Sequence, residues 1–133
     1  MTDVTIVFDG GSIRNPGHGY GSYRLTVGDA PHRTERLDFG SPVTSNVAEY
    51  RALIGALEDA VSTLEAAGES PKSAGLQVRG DSQLVLNQVG GQWKVRHPHL
   101  LPLCDRARAL VDRFGSAVLT WHPRSESVRI LGH

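Results

Sequence analysis

A chain of 133 residues, 39% hydrophobic and 21% charged, is long enough to bury a core without disulfide or metal staples, and one domain over residues 1–133 is expected. Its 14 basic residues balance 14 acidic ones, which excludes a strongly basic nucleic-acid-coating protein and leaves room for a local basic patch only. The single cysteine, Cys104, cannot bridge internally, the start Met1-Thr2-Asp3-Val4 has no basic region before an apolar stretch, and no apolar run approaches a membrane span, so a soluble, cytoplasmic, monomeric chain is expected.

Residues 4–8, Val4-Thr5-Ile6-Val7-Phe8, are rich in β-branched side chains and read as a mostly buried strand that ends at Asp9. The next ten residues, 10–19, hold so much glycine and proline that no regular structure is expected there. Strands follow at 20–27 and 32–39, joined by Gly28-Asp29-Ala30-Pro31 as an antiparallel hairpin. A long helix is expected over 47–67, because Tyr50, Leu53, Ile54, Leu57, Val61 and Leu64 recur at helical spacing. Leu76-Gln77-Val78-Arg79 reads as a strand leading into Asp81, and 82–89 as a short helix stopped by Gly90-Gly91. A further helix over 99–114 places Leu100, Leu103, Cys104, Ala107, Val111 and Phe114 on one side. The last strand is 117–122, which Pro123 prevents from continuing simply.

The resulting order, βββ-α-β-α-α-β, predicts an α/β fold: a three-stranded antiparallel meander extended by parallel strands, with helices on the sheet's faces. If the crossover is right-handed, the strands ending in Asp9 and Asp81 are parallel neighbours, and both acids reach one edge of the sheet. Glu49, in the first turn of the long helix, joins them there. Acidic residues where strands end and a helix begins suit a hard divalent cation and phosphodiester chemistry.

Four segments carry a family resemblance. They are Phe8-Asp9-Gly10-Gly11-Ser12 with Asn15-Pro16-Gly17 and Gly19-Tyr20-Gly21; Thr44-Ser45-Asn46-Val47-Ala48-Glu49-Tyr50; Gly80-Asp81-Ser82-Gln83-Leu84-Val85 with Asn87-Gln88-Val89-Gly90-Gly91; and Thr120-Trp121-His122-Pro123-Arg124. In order and spacing the chain resembles the type 1 ribonucleases H from Val4 to about Arg124. The resemblance implies a ribonuclease H-like mixed five-stranded sheet. It also implies endonucleolytic hydrolysis of the RNA strand of RNA–DNA hybrids by two Mg²⁺ or Mn²⁺ ions, leaving 5′-phosphate and 3′-hydroxyl ends. Asp9, Glu49 and Asp81 would then be the catalytic metal ligands, with Asp9 shared between the ions. Gly10, Gly11, Ser12, Asn15, Thr44, Ser45, Asn46 and Arg124 match substrate-facing positions. Trp93, Lys94 and Arg96 stand where some members carry a longer basic protrusion, so a weaker substrate grip is expected.

The tail departs from the family pattern. Counting from Pro123-Arg124 puts Leu131 where a fourth carboxylate is usual and Ser127 where asparagine is usual, and no helix is expected to follow. Glu126 or His133 could substitute, three carboxylates could suffice, or the domain could bind hybrids and cut them poorly. His122 does not align clearly with the family's mobile histidine. A junction resolvase or exonuclease of the same broad fold is a further alternative, which the Asn15, Ser45 and Asn46 positions disfavour because they suit reading of a 2′-hydroxyl.

Each residue also has a plain structural reading. Asn46 and Glu49 fit a capping box, Asp9 a turn, and Asp81-Ser82 a helix cap. Cys104 reads as a core filler, Trp121 as packed in the sheet, and Trp93 as either buried or in contact with substrate. Arg106, Arg108 and Arg113 read as a solvated helix face, and His97 and His99 as loop residues.

Overall fold

The computed structural model describes residues 1–132; His133 lies outside them. Among the described residues the order is β1 (Thr2–Ile13), β2 (Gly17–Val27), β3 (Arg33–Val43), α1 (Ser45–Ala66), β4 (Ala74–Gly80), α2 (Gln83–Val89), α3 (Leu101–Val111), β5 (Ser116–Trp121) and α4 (Arg124–Leu131). The five strands form one mixed sheet in the order β3-β2-β1-β4-β5. β1, β2 and β3 are antiparallel, while β1–β4 and β4–β5 are parallel. This is the predicted architecture. Among the described residues no helix is long and apolar enough to cross a membrane.

β1 is the central strand and is covered on both sides, which explains why its buried residues do not simply alternate. Val4, Ile6 and Phe8 join the core with Tyr50, Leu53, Leu57 and Leu64 of α1, while Val7 and Asp9 are buried as well. α4 also packs against β1 and β2. Alanines 48, 52, 56 and 60 lie fully inside α1's buried face, so the helix sits close against the sheet; Ile54, expected in that stripe, is only partly buried. α3 completes the core with Cys104, Ala107 and Leu110 against α1.

Several boundaries differ from expectation. β1 does not stop at Asp9. The ladder continues through Gly10↔Gly21, Gly11↔Tyr20 and Ser12↔Gly19, so only residues 14–16 turn. Small residues on both strands let it persist where glycine content argued for a loop, and Arg14 takes up the turn with a positive φ of 62°. α1 starts two residues early, with Thr44 as its cap: the Thr44 hydroxyl accepts from Val47 N at 3.2 Å, so no capping box forms on Asn46. The expected helix 99–114 is shorter, because Pro98 opens a separate 3₁₀ turn, Pro98–Leu100, ahead of α3. Phe114 is buried beyond the helix end.

The largest correction is at the C-terminal side, where a helix does follow the last strand. α4 has a Glu126–Arg129 pair on its surface and ends at Gly132, whose φ of +83° and N–H bond to Val128 O (2.8 Å) close the last turn. Leu131 is 2% exposed. Only Leu131 and Ser127 of α4 are buried, too few apolar positions to announce a helix in the sequence.

Candidate active site

The parallel register sets Phe8 opposite Gly80, so the next residues along the two strands, Asp9 and Asp81, are neighbours at one end of the sheet. Gly80 admits this closeness, because a Cβ there would lie 2.6 Å from the Phe8 ring. Glu49 arrives from the other direction. Gly10 faces the first turn of α1 so closely that a Cβ would lie 2.5 Å from the Ala48 carbonyl carbon and 2.6 Å from Glu49 N. A bare backbone at position 10 is what lets α1 bring Glu49 to the strand.

These placements gather one carboxylate oxygen each from Asp9, Glu49 and Asp81 within 4.8 Å of one another. Asp9 is buried, and the other two are partly so. Such crowding disfavours three negative charges. Glu49 shows it: burial, then repulsion from Asp81 and Asp9, pushes its carboxyl up to about 7, against the pull of the Ser82 hydroxyl and Arg124. Ser82 also caps α2, accepting from Val85 N at 3.2 Å. It therefore ties Glu49 to the helix that follows Asp81. In the sequence Ser82 reads only as a cap, and its place directly after Asp81 is the available signal for this contact.

Asp81 Oδ2 is buried without a hydrogen-bond partner. Its nearest cation is Arg124 Nη1 at 3.5 Å, too long for a good hydrogen bond. An orphaned hard oxygen beside two further carboxylates fits a divalent cation.

Arg124, expected to face substrate, instead points into the cluster. Its Nη1 lies 3.3 and 3.2 Å from the two Asp9 oxygens. Glu126 is not part of the group: its carboxylate pairs with Arg129 at 2.7 and 3.0 Å. The alternative ligand His133 falls outside the described residues. His122 is buried, its ring Nε2 2.9 Å from the Ser127 hydroxyl and its backbone N–H donating to Gly80 O, and neither bond engages the clustered carboxylates.

The remaining sequence-predicted residues lie outside this three-carboxylate group. Ser12 Oγ donates to Val43 O at 2.7 Å, and Asn15 Oδ1 accepts from Ser45 N at 3.2 Å, fastening the 12–16 turn to the start of α1. Thr44 uses an acceptor lone pair in capping and keeps its O–H as a donor. Asn46 follows in the same first turn, and Gly11 packs under Tyr20. Trp93 is 47% exposed and lines a groove with Lys94, Arg96 and His97. That segment is anchored from below, where Tyr50 donates to buried Gln88 at 2.6 Å and Gln88 Nε2 reaches Lys94 O at 3.4 Å. Trp121 does not pack in the sheet. It is 48% exposed, and its Nε1 donates to Asp81 O at 3.1 Å. Arg106 and Arg113 bridge to Glu58 and Glu65 of α1, and Cys104 is buried as expected.

Known proteins are similar to this chain in sequence and fold. A family described as reverse transcriptase-like matches residues 24–129. A bifunctional protein of Mycobacterium tuberculosis is 41% identical over 127 residues, covering 93% of this chain and 32% of the relative, so the chain spans about a third of that protein's length. RNase H1 from the archaeon Halobacterium salinarum superposes with a TM-score of 0.82 at 35% identity, over 96% of this chain and 90% of that one. LC11-RNase H1, solved in complex with an RNA/DNA hybrid, superposes with a TM-score of 0.81 at 29% identity, over 95% of this chain and 89% of that one. The family match and the superposition on RNase H1 over 90% of that chain at 35% identity show that the chain belongs to the type 1 ribonuclease H family.

Proposed function

We propose that this chain is a ribonuclease H, cutting the RNA strand of RNA–DNA hybrids internally and leaving 5′-phosphate and 3′-hydroxyl ends. One observation carries the reading: three carboxylate oxygens within 4.8 Å, one from each of Asp9, Glu49 and Asp81, at the end of the sheet. Those three residues would hold two Mg²⁺ or Mn²⁺ ions, which supply Lewis-acid stabilisation of the charge that builds on the scissile phosphate and on the leaving oxygen. The protein's own part is to keep the carboxylates fixed. Adjacent parallel strands hold Asp9 and Asp81, and Gly10 and Ser82 hold Glu49.

Around this centre, Ser12, Asn15, Thr44, Ser45 and Asn46 offer short polar groups to sugar hydroxyls and phosphates. A 2′-hydroxyl, both donor and acceptor, is what such groups distinguish from DNA. Thr44 offers its hydroxyl to a phosphate of the DNA strand, and Trp93 and Lys94 offer a ring and a cation to the hybrid. The crystal structure of LC11-RNase H1 with a hybrid supports this substrate class. The same reading takes residues 1–133 as one unit, working as a monomer in the cytoplasm.

Labelled hybrid incubated with Mg²⁺ or Mn²⁺ should show cuts in the RNA strand alone. Asp9→Asn should lower the cleavage rate by about a thousandfold or more, as expected when a ligand is lost from a site acting on the transition state. Its melting temperature should stay close to the parent's, because lost pairing with Arg124 is offset by relief of carboxylate repulsion. Retained activity in that variant would remove Asp9 from the mechanism.

A second reading, a hybrid-binding module with weakened cleavage, is favoured by one observation: the position expected to carry a fourth carboxylate is the buried Leu131. Hybrid binding without cuts in either metal would establish it. Leu131→Asp should cost the metal-free protein about 2–4 kcal/mol, and faster cleavage in that variant would identify Leu131 as the vacant ligand position.

A further inference from the structure

Resting on the metal reading above, we infer that Arg124 is the resident counter-cation of the carboxylate cluster: it holds Asp9 and Asp81 together in the metal-free protein and is displaced when a divalent ion enters. The geometry is unlike that of an ordinary surface ion pair. A single nitrogen, Nη1, lies 3.3 and 3.2 Å from the two Asp9 oxygens and 3.5 Å from Asp81 Oδ2, so one corner of the guanidinium sits among three oxygens. Two of the three carboxylates of the metal cluster are thereby engaged by one positive charge.

The contact is also built to be broken. Strong charge-assisted hydrogen bonds of this type are about 2.7–2.9 Å long, and the guanidinium fork usually grips a carboxylate with two nitrogens. Here all three distances are longer and only one nitrogen is used. Asp81 Oδ2 remains without a hydrogen bond although Arg124 is the group beside it. The carboxylates are largely buried, while the Arg124 side chain is 56% exposed, so the cation can withdraw towards solvent without disturbing the core. Arg124 is the first residue of α4, directly after Pro123, at the leading end of a short helix.

The consequence is an exchange of partners. Without metal, Arg124 offsets part of the repulsion among Asp9, Glu49 and Asp81. With metal bound, the ion takes over that role, and the freed guanidinium stands at the mouth of the site. A phosphate oxygen is then its natural partner, since a guanidinium pairs with phosphate as readily as with carboxylate. Metal entry and phosphate capture are in this way linked through one side chain.

The test uses Mn²⁺ binding by calorimetry and thermal melting, neither of which depends on turnover. Arg124→Gln should bind Mn²⁺ about tenfold more tightly than the parent, the size expected from removing one partly exposed charge-assisted contact that the ion must break. Its metal-free melting temperature should fall, and saturating Mn²⁺ should bring it level with the loaded parent. Arg124→Lys, which keeps the charge, should return affinity towards the parent value. Asp81→Asn serves to locate the ion and should weaken uptake in either background. If Arg124→Gln binds Mn²⁺ no more tightly than the parent, or melts lower by the same amount with and without metal, the counter-cation role is overturned while the metal site stands. A parent that takes up no Mn²⁺ overturns both.

Discussion

The two sides of the acidic cluster are built differently. On one side, Asp9, Asp81 and Glu49 are positioned mainly by main chain, through neighbouring parallel strands and a glycine that admits α1, with the Ser82 hydroxyl adding a hydrogen bond to Glu49. On the other side stands α4, a short helix docked on β1 and β2 by a few side-chain contacts, with an exposed arginine at its leading end. Backbone geometry resists the repulsion of three crowded carboxylates, because moving any of them means breaking the sheet or sliding a long helix. Side-chain docking permits motion. The first side suits groups that must hold still, and the second suits a group that must leave.

The largest expected effect on stability breaks the rigid side. Gly10→Ala places a methyl 2.5 Å from the Ala48 carbonyl carbon, and α1 cannot yield without dragging Glu49 away from Asp9. We expect a loss of about 3 kcal/mol or more in denaturant unfolding, together with loss of cleavage. Unchanged stability would mean that α1 is not held where the packing puts it.

A smaller effect exposes the cost of burying and crowding Glu49. Glu49 has a folded-state value of about 7, above the ordinary 4.5, so the native chain keeps its proton to higher pH than the unfolded chain. Metal-free stability should therefore be greatest at and below pH 4.5 as far as this group is concerned. It should decline as pH rises towards 7, and stay lower above it, by about 3 kcal/mol in total. Glu49→Gln should flatten this dependence and raise metal-free stability at pH 8. A parent whose stability does not decline through that window would show that Glu49 is not buried among the other carboxylates as the geometry places it.

On the docked side, Ser127→Ala leaves the buried His122 Nε2 without its 2.9 Å partner. The expected cost is about 1–2 kcal/mol, with Mn²⁺ affinity little changed because no ligand is touched. Smallest of all, Arg106→Ala removes an exposed pair with Glu58 far from this contrast and should change stability by no more than about 0.5 kcal/mol. A larger change there would show that α3 and α1 depend on their surface charges.

Much of this was readable in the chain. Strand composition, helical periodicity and the right-handed crossover rule together predicted which strands would be parallel and that Asp9 and Asp81 would share an edge, and the sheet order agrees. Local rules served less well where context overrode them. Glycines 10 and 11 looked like a loop and lie in β1, because facing small residues keep the ladder intact. Asn46 looked like a cap, and Thr44 holds that place. Trp121 looked like a core residue, yet β5 is an edge strand and leaves it half exposed.

By itself, the amino-acid order determined the sheet's make-up, the long helix and the three acids that meet at its end, because each depends on repeating patterns a few residues long. Tertiary structure alone decided that α4 forms, that Leu131 is buried, that Ser82 reaches Glu49, and that Arg124 turns inward to the carboxylates. Those outcomes depend on which distant surfaces meet. A short helix with two buried residues has no pattern of its own to announce it, and a long charged side chain takes its direction from the nearest opposite charge, which folding alone brings within reach.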